Sequence, residues 1–368
     1  MLAQPLTCPG RSFHLDCKPD AERCLARVEA WFHQAIMDRV PVRFQHHNAQ
    51  HEREARLDRT RWASLEARWL DVEYQLEAFE RSLAGRVFLG ETFPLFMPNL
   101  GPNVYSAFYA GRLEFADVTS WYEPVITDME DLSALEANPF ASDYFRKLDA
   151  LSRAAFERGK NRYLVGYPDL HPSLDCAAAW RGISELCLDL ATEPEKVQPL
   201  LEKSVADFHR IFDHFDTLQK AHGQPSVTWI ALPTAGKMHI PSCDVAAMMS
   251  PAYFARFSLP LLKRELAGMT HCVYHVDGKG VAQHLDHILA LPEIRGIQWV
   301  QGLGKDAPIM QWVPLLKRIQ QAGTSIVVDL QLTELEPFIA AMKPEGVLLC
   351  LGVEPDLQEA VLKRVAKW

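Results

Sequence analysis

Apolar positions recur three and four residues apart in AERCLARVEAWFHQAIMDR, which predicts an amphipathic helix from Ala21 onward with Asp20 able to cap it. A short strand is expected over 40–45. From His51 to Leu83 the pattern is again helical and highly charged, with Trp62, Leu65, Trp69, Val72, Leu76 and Phe79 on one stripe. Residues 1–84 therefore read as a mainly helical extension lying on a larger unit, 85–368. In that unit the rhythm changes: short apolar or β-branched runs alternate with amphipathic helices at the spacing of a βα unit. Strands are expected at 162–167, 226–231, 271–275, 296–301, 325–330 and 346–351, with another near 87–89 and a further segment in the low hundreds. Helices are expected at 177–190, 194–218, 251–267, 281–291, 309–321, 335–342 and 356–365. The count approaches eight, so the leading architecture is an α/β protein with a (β/α)8 TIM barrel and an N-terminal helical extension. A doubly wound open sheet is the runner-up, since alternation alone does not separate the two.

Composition narrows the function classes. The chain has 368 residues, 38 Lys+Arg against 47 Asp+Glu, and a formal net charge of −9, which argues against nucleic acid or an anionic membrane as partner. Apolar stretches are far shorter than the roughly 20 residues a spanning helix needs, and the first residues lack an apolar signal region. A soluble, cytoplasmic protein is expected. The eight cysteines show no CxxC pair and read as reduced thiols. A homo-oligomeric state is left open.

In a barrel the working groups stand at the C-terminal ends of strands and in the loops that follow. HCVYHVDG brings His275 and Asp277 two apart, on one face of an extended chain. The next strand ends in Gln298, Trp299 and Gln301, the one after in Asp329 and Gln331, and the last carries Cys350 among apolar neighbours. An imidazole, a carboxylate and a thiolate on neighbouring strands would make a tetrahedral zinc set of His275, Asp277 and Cys350 with one open position. The alternatives are a Cys350 packed as a small core residue, a His275 bonded to a backbone carbonyl and an Asp277 that caps or turns. Upstream, YLVGYPDLHPSLDCAAAWRG places Asp169, His171 and Asp175 in one strand-to-helix loop; Asp175 reads equally as a helix cap partnered by Arg181. Asn99 lies in a Pro/Gly-broken loop of a kind that lines sites. The run containing His46, His47 and His51 reads as a solvated charged face.

The runs SCDVAAMMSPAYFARFSLPLLKREL, YHVDG and LDHILALPEIRGIQWVQG, with NLGPNVYSAFYAG, DLHPSLDCAAAWRG and KPDAERCLARVEAWF, resemble the uroporphyrinogen decarboxylase superfamily over nearly the whole chain. The resemblance implies a TIM barrel and one of two chemistries: cofactor-free decarboxylation of a porphyrinogen, or zinc-dependent methyl transfer involving a corrinoid or a thiol. The Arg-rich segment of the decarboxylases has no counterpart here, where VFLGETFPLFMPNLG offers Glu91 and no Arg, and a substrate with many carboxylates needs a cationic cradle. In the methyltransferases a His-x-Cys pair and a late Cys bind zinc; His275 and Cys350 match the first and last, while Asp277 replaces the middle sulfur by oxygen.

The implied function is a zinc-dependent methyltransferase that moves a methyl group from a small methylated substrate to cobalamin on a separate corrinoid protein. Zinc on His275, Asp277 and Cys350 would act as a Lewis acid, while Asp169, His171, Gln301 and Asp329 position the substrate or tune the metal. Asn99 and Trp299 are assigned to cofactor contact, and Trp121, Tyr122 and Trp299 to an apolar pocket wall. Two alternatives remain: a metal-free decarboxylase using Asp277 or Asp169, and a non-catalytic barrel that binds a ligand or partner.

Overall fold

The structure, a computed structural model, describes residues 13–45 and 60–368. His46, His47 and His51 lie outside them. Ten strands occur in chain order: β1 (Val42–Gln45), β2 (Leu95–Phe96), β3 (Leu113–Phe115), β4 (Ser120–Tyr122), β5 (Leu164–Val165), β6 (Met238–His239), β7 (His271–Asp277), β8 (Ile294–Val300), β9 (Ser325–Leu330) and β10 (Val347–Gly352). Six of them form one curled, all-parallel sheet in the order β1-β10-β9-β8-β7-β6; β2 pairs with β5, and β3 with β4 as an antiparallel hairpin. Although β1 precedes the expected boundary at 84, it pairs with β10 and is part of the sheet.

The closed ring of eight strands expected from the sequence is not formed by the described residues, and local chemistry explains why. Pro94 and Pro98 flank β2 and Pro168 follows β5, and proline cannot donate to a ladder. The strand expected at 226–231 is instead a turn: Ala231 has φ 57°, its N–H bonds the Thr228 carbonyl, and only a bridge between Ser226 and Thr234 remains. Single backbone bonds continue from the sheet edges, including Glu91 N to Val42 O at 2.7 Å and Tyr167 N to Val227 O at 2.9 Å.

Period two sorts the sheet into faces. On β10, Val347, Leu349 and Leu351 face the surrounding helices, while Leu348 and Cys350 face inward with Val273 and Val327. The helix Ala21–Phe32 closes the strand beginnings, because Val28, Trp31 and Phe32 join that inner cluster. Ser325 Oγ donates to the Trp31 carbonyl at 2.5 Å, and Trp31 Nε1 to the Ile326 carbonyl at 3.3 Å. This floor is pinned by a buried ion network: Glu91, 0% exposed, accepts from Arg27 at 2.9 Å, Arg39 at 2.8 Å and the Val42 amide at 2.7 Å. The opposite end of the sheet, where strands finish, is left for polar groups.

Two long expected helices are broken. Residues 177–190 divide into Ser173–Arg181 and Ile183–Thr192 at Gly182, whose φ of 93° a side chain would resist. Residues 194–218 divide into Pro194–Ala206 and Phe208–Ala221. No helix among the described residues is long and apolar enough to cross a membrane, and the described cysteines are all free.

Candidate functional site

The inner face at the strand ends carries Arg43 and Gln45 from β1, His275 from β7, Gln298 from β8, Asp329 from β9 and Cys350 from β10. Register ties them together: Arg43 pairs with Cys350, Cys350 with Asp329, and His275 with Gln298. Gln45 Nε2 donates to Asp329 Oδ1 at 2.6 Å, and Arg43 donates to the Ile230 carbonyl. Burial pushes the Asp329 carboxyl up against the opposing pull of Arg43. Burial also pushes the Cys350 thiol up to about 12, with Arg43 opposing and Asp329 adding to the rise.

His275 Nδ1 donates to Gln298 Oε1 at 2.8 Å, and its ring meets Trp229 edge-on with centroids 5.3 Å apart. The Trp229 indole N–H is buried without a protein partner. Across the same opening, His171 Nε2 donates to Asp169 Oδ2 at 2.9 Å while its Nδ1 lies 2.9 Å from Ser242 Oγ. Burial disfavours the His171 cation, but the Asp169 carboxylate outweighs it and lifts the imidazole to about 9. Burial likewise pushes Asp169 up, and His171, His239 and His275 together overcome it and hold the carboxyl below its usual range. His239 in turn donates to Glu265 at 2.6 Å, and Ser173 Oγ to the other Glu265 oxygen at 2.7 Å.

Beside this pair opens a cavity of about 380 Å³, lined among others by Tyr122, His171, Asp175, Ile183, Glu185 and Asp244. Asp175 accepts the Asp244 and Val245 amides at 3.0 and 3.2 Å, not a bond from Arg181, which pairs with Asp189 at 2.7 Å. Burial first, then the negative Asp244, raises the Asp175 carboxyl to about 6.

The expected zinc set does not fit. Among the described residues no three His, Cys, Asp or Glu side chains are grouped to hold a metal. Strands β8 and β9 stand between His275 and Cys350, and at the level of His275 the register brings Gln298, Val327 and Leu348 rather than Cys350. The neighbours of Cys350 are a guanidinium and a carboxylate, and Asp277 is solvent-exposed.

Other expected residues take structural places. Gln301 Nε2 bonds the Asp329 and Ala307 carbonyls at 3.1 and 3.0 Å. Asn99 Oδ1 accepts the Gly101 amide at 2.8 Å, closing a turn. Trp299 is 0% exposed on the outer face against Trp312, and Trp121 is 51% exposed, so of the expected wall aromatics Tyr122 alone lines the cavity. Arg43, Trp229 and Glu265 were missed. Arg43 was legible as a charge in the middle of the apolar run Val40–Phe44, a residue that a buried strand tolerates only on a polar face.

No family model matches the sequence, and no curated protein matches it. Among solved structures, a methyltransferase from Methanosarcina mazei superposes with a TM-score of 0.60 at 12% identity, over 94% of this chain and 98% of that one. This likeness concerns the fold.

Proposed function

We propose that the chain is a methyl-transfer enzyme. The observation that carries this reading is the convergence, in a fold like that of a methyltransferase, of polar side chains from separate strands and loops on one end of the sheet: Arg43, Asp169, His171, His275, Asp329 and Cys350. Parallel α/β sheets bind their ligands at that end. The substrate is a small methylated molecule, and the methyl acceptor is the reduced cobalamin of a corrinoid protein.

His275, Asp277 and Cys350 do not fit zinc as a donor set. The chain's own residues bind and orient. The charged Asp169–His171 pair is preorganised by Ser242, so its field is in place before substrate arrives. Arg43, with Asp329 and Gln45, supplies a second polar anchor. Holding the methyl carbon in line with its acceptor contributes through proximity and orientation. The test is to mix purified protein with cob(I)alamin and a panel of methylated amines, sulfides and ethers, and follow methylcobalamin by absorbance. Turnover that falls at least about tenfold in Asp169→Asn supports the reading. Absence of turnover across the panel overturns it.

A further inference from the structure

The cavity beside His171 carries an excess of negative charge. Its wall carries the carboxylates of Asp175, Glu185 and Asp244, and no lysine or arginine lines it. Among the described residues no lysine or arginine forms a salt bridge with any of the three. The cation on the wall, His171, pairs with Asp169 and also attracts Asp175 and Asp244, so one positive group stands against three carboxylates. The remaining surface is apolar or aromatic: Tyr122 presents its ring while its hydroxyl donates to the Ala110 carbonyl at 2.8 Å, and Pro102, Pro124, Ile183 and Val245 complete the lining.

We infer that this cavity receives the methylated onium group of the substrate, a quaternary ammonium or a sulfonium. The inference rests on the methyl-transfer reading and names its substrate class. A compact cation with methyl groups wants aromatic and apolar contact together with diffuse negative charge, and neutral or anionic methyl donors gain nothing from a wall with three carboxylates. A volume of about 380 Å³ lies within the ordinary range of small-molecule sites. Burial first and then the neighbouring Asp244 disfavour the Asp175 carboxylate, which also accepts the Asp244 amide, and a bound cation offsets the second of these. The chemistry agrees with the site. When the C–N or C–S bond of an onium breaks, its electron pair stays on nitrogen or sulfur, which leaves as a neutral amine or sulfide. The methyl group is taken by the electron pair of the reduced corrinoid. The leaving atom needs neither a proton nor a Lewis acid.

The test is calorimetric titration of the whole chain with tetramethylammonium chloride, with tert-butanol as a neutral isostere and with methanesulfonate as an anion. Tetramethylammonium is expected to bind at least about tenfold more tightly than either, with Asp244→Asn and Glu185→Gln each weakening it several-fold. Equal binding of tert-butanol or methanesulfonate, or no tetramethylammonium binding by a chain whose circular dichroism shows it folded, overturns the inference. The methyl-transfer reading fails separately: tetramethylammonium that binds without methylating cob(I)alamin, in a panel with no other turnover, removes that reading and leaves the cation site. Methyl transfer from an ether or sulfide without tetramethylammonium binding removes the cation site alone.

Discussion

Trp31 is packed directly against Gly296: a Cβ built on the glycine would stand 2.8 Å from Trp31 Cη2 and 3.1 Å from Val273 Cγ2. The N-terminal helix thus forms the floor of the curled sheet. Gly296→Ala is expected to cost about 1–3 kcal/mol by overpacking, and Trp31→Ala about 3–5 kcal/mol through the cavity it leaves. Urea denaturation of the single and double variants checks this. If Gly296→Ala costs as much in a Trp31→Leu background as in the native chain, the contact is not the cause.

Glu91 is the buried anion that joins the Arg27 and Arg39 guanidiniums to the start of β1. Removing its charge leaves Arg39 without its buried carboxylate, while Arg27 keeps Asp38. Glu91→Gln is expected to destabilise by about 3–5 kcal/mol, the range for breaking a buried pair from one side. A loss under about 1 kcal/mol in the same denaturation experiment would show the network to be dispensable.

The Asp169–His171 pair links stability to pH with a definite sign. His171 rises from an ordinary 6.5 to about 9 in the fold, so its contribution is complete below about 6.5 and is lost as pH climbs to about 9. Asp169, held low, adds a contribution that is lost only in acid. Asp169→Asn should flatten the slope between pH 6.5 and 9 and cost on the order of 2 kcal/mol at neutral pH. Proton NMR of the His171 ring should show its titration falling toward 6.5 in that variant; an unchanged midpoint contradicts the assignment.

Asp175 works in the opposite direction. Its carboxyl is raised from 3.8 to about 6, so the native chain loses stability as pH rises across that interval and carries the penalty at neutral pH. Asp175→Asn keeps an oxygen able to accept the Asp244 and Val245 amides and drops the charge. It is expected to be more stable than the parent by about 1–3 kcal/mol above pH 6 and equal to it below pH 4. Thermal melts across pH 4–8 decide the matter, and a variant less stable at pH 7 counts against the raised carboxyl.

With its thiol pushed up to about 12, Cys350 should stay unmodified by iodoacetamide at pH 8 in the folded chain, whereas the exposed Cys17 reacts more readily. Peptide mass mapping before and after denaturation reads this out. Rapid alkylation of native Cys350 would mean that a thiolate is available on the inner face after all.

What the sequence determined was local. Ser325–Leu330 was read at its observed bounds, and β7, β8 and β10 within two residues, because a long apolar run between helices declares itself in any context. The strand-end positions of His275, Asp329 and Cys350 followed from alternation along single strands. The tertiary structure alone decided which of these ends meet. Pairing register set His275 beside Gln298 and Cys350 between Arg43 and Asp329, and so dispersed a donor set that residue types had suggested. It also decided that Asp175 lies beside Asp244, 69 positions along the chain, in the wall of one cavity. The open ring was half legible: the prolines beside β2 and β5 stand in the sequence, whereas the left-handed turn at Ala231 lies inside a run whose residue types read as a strand. Periodicity reports which side of its own strand a residue occupies, and only packing across strands fixes the charge that stands opposite.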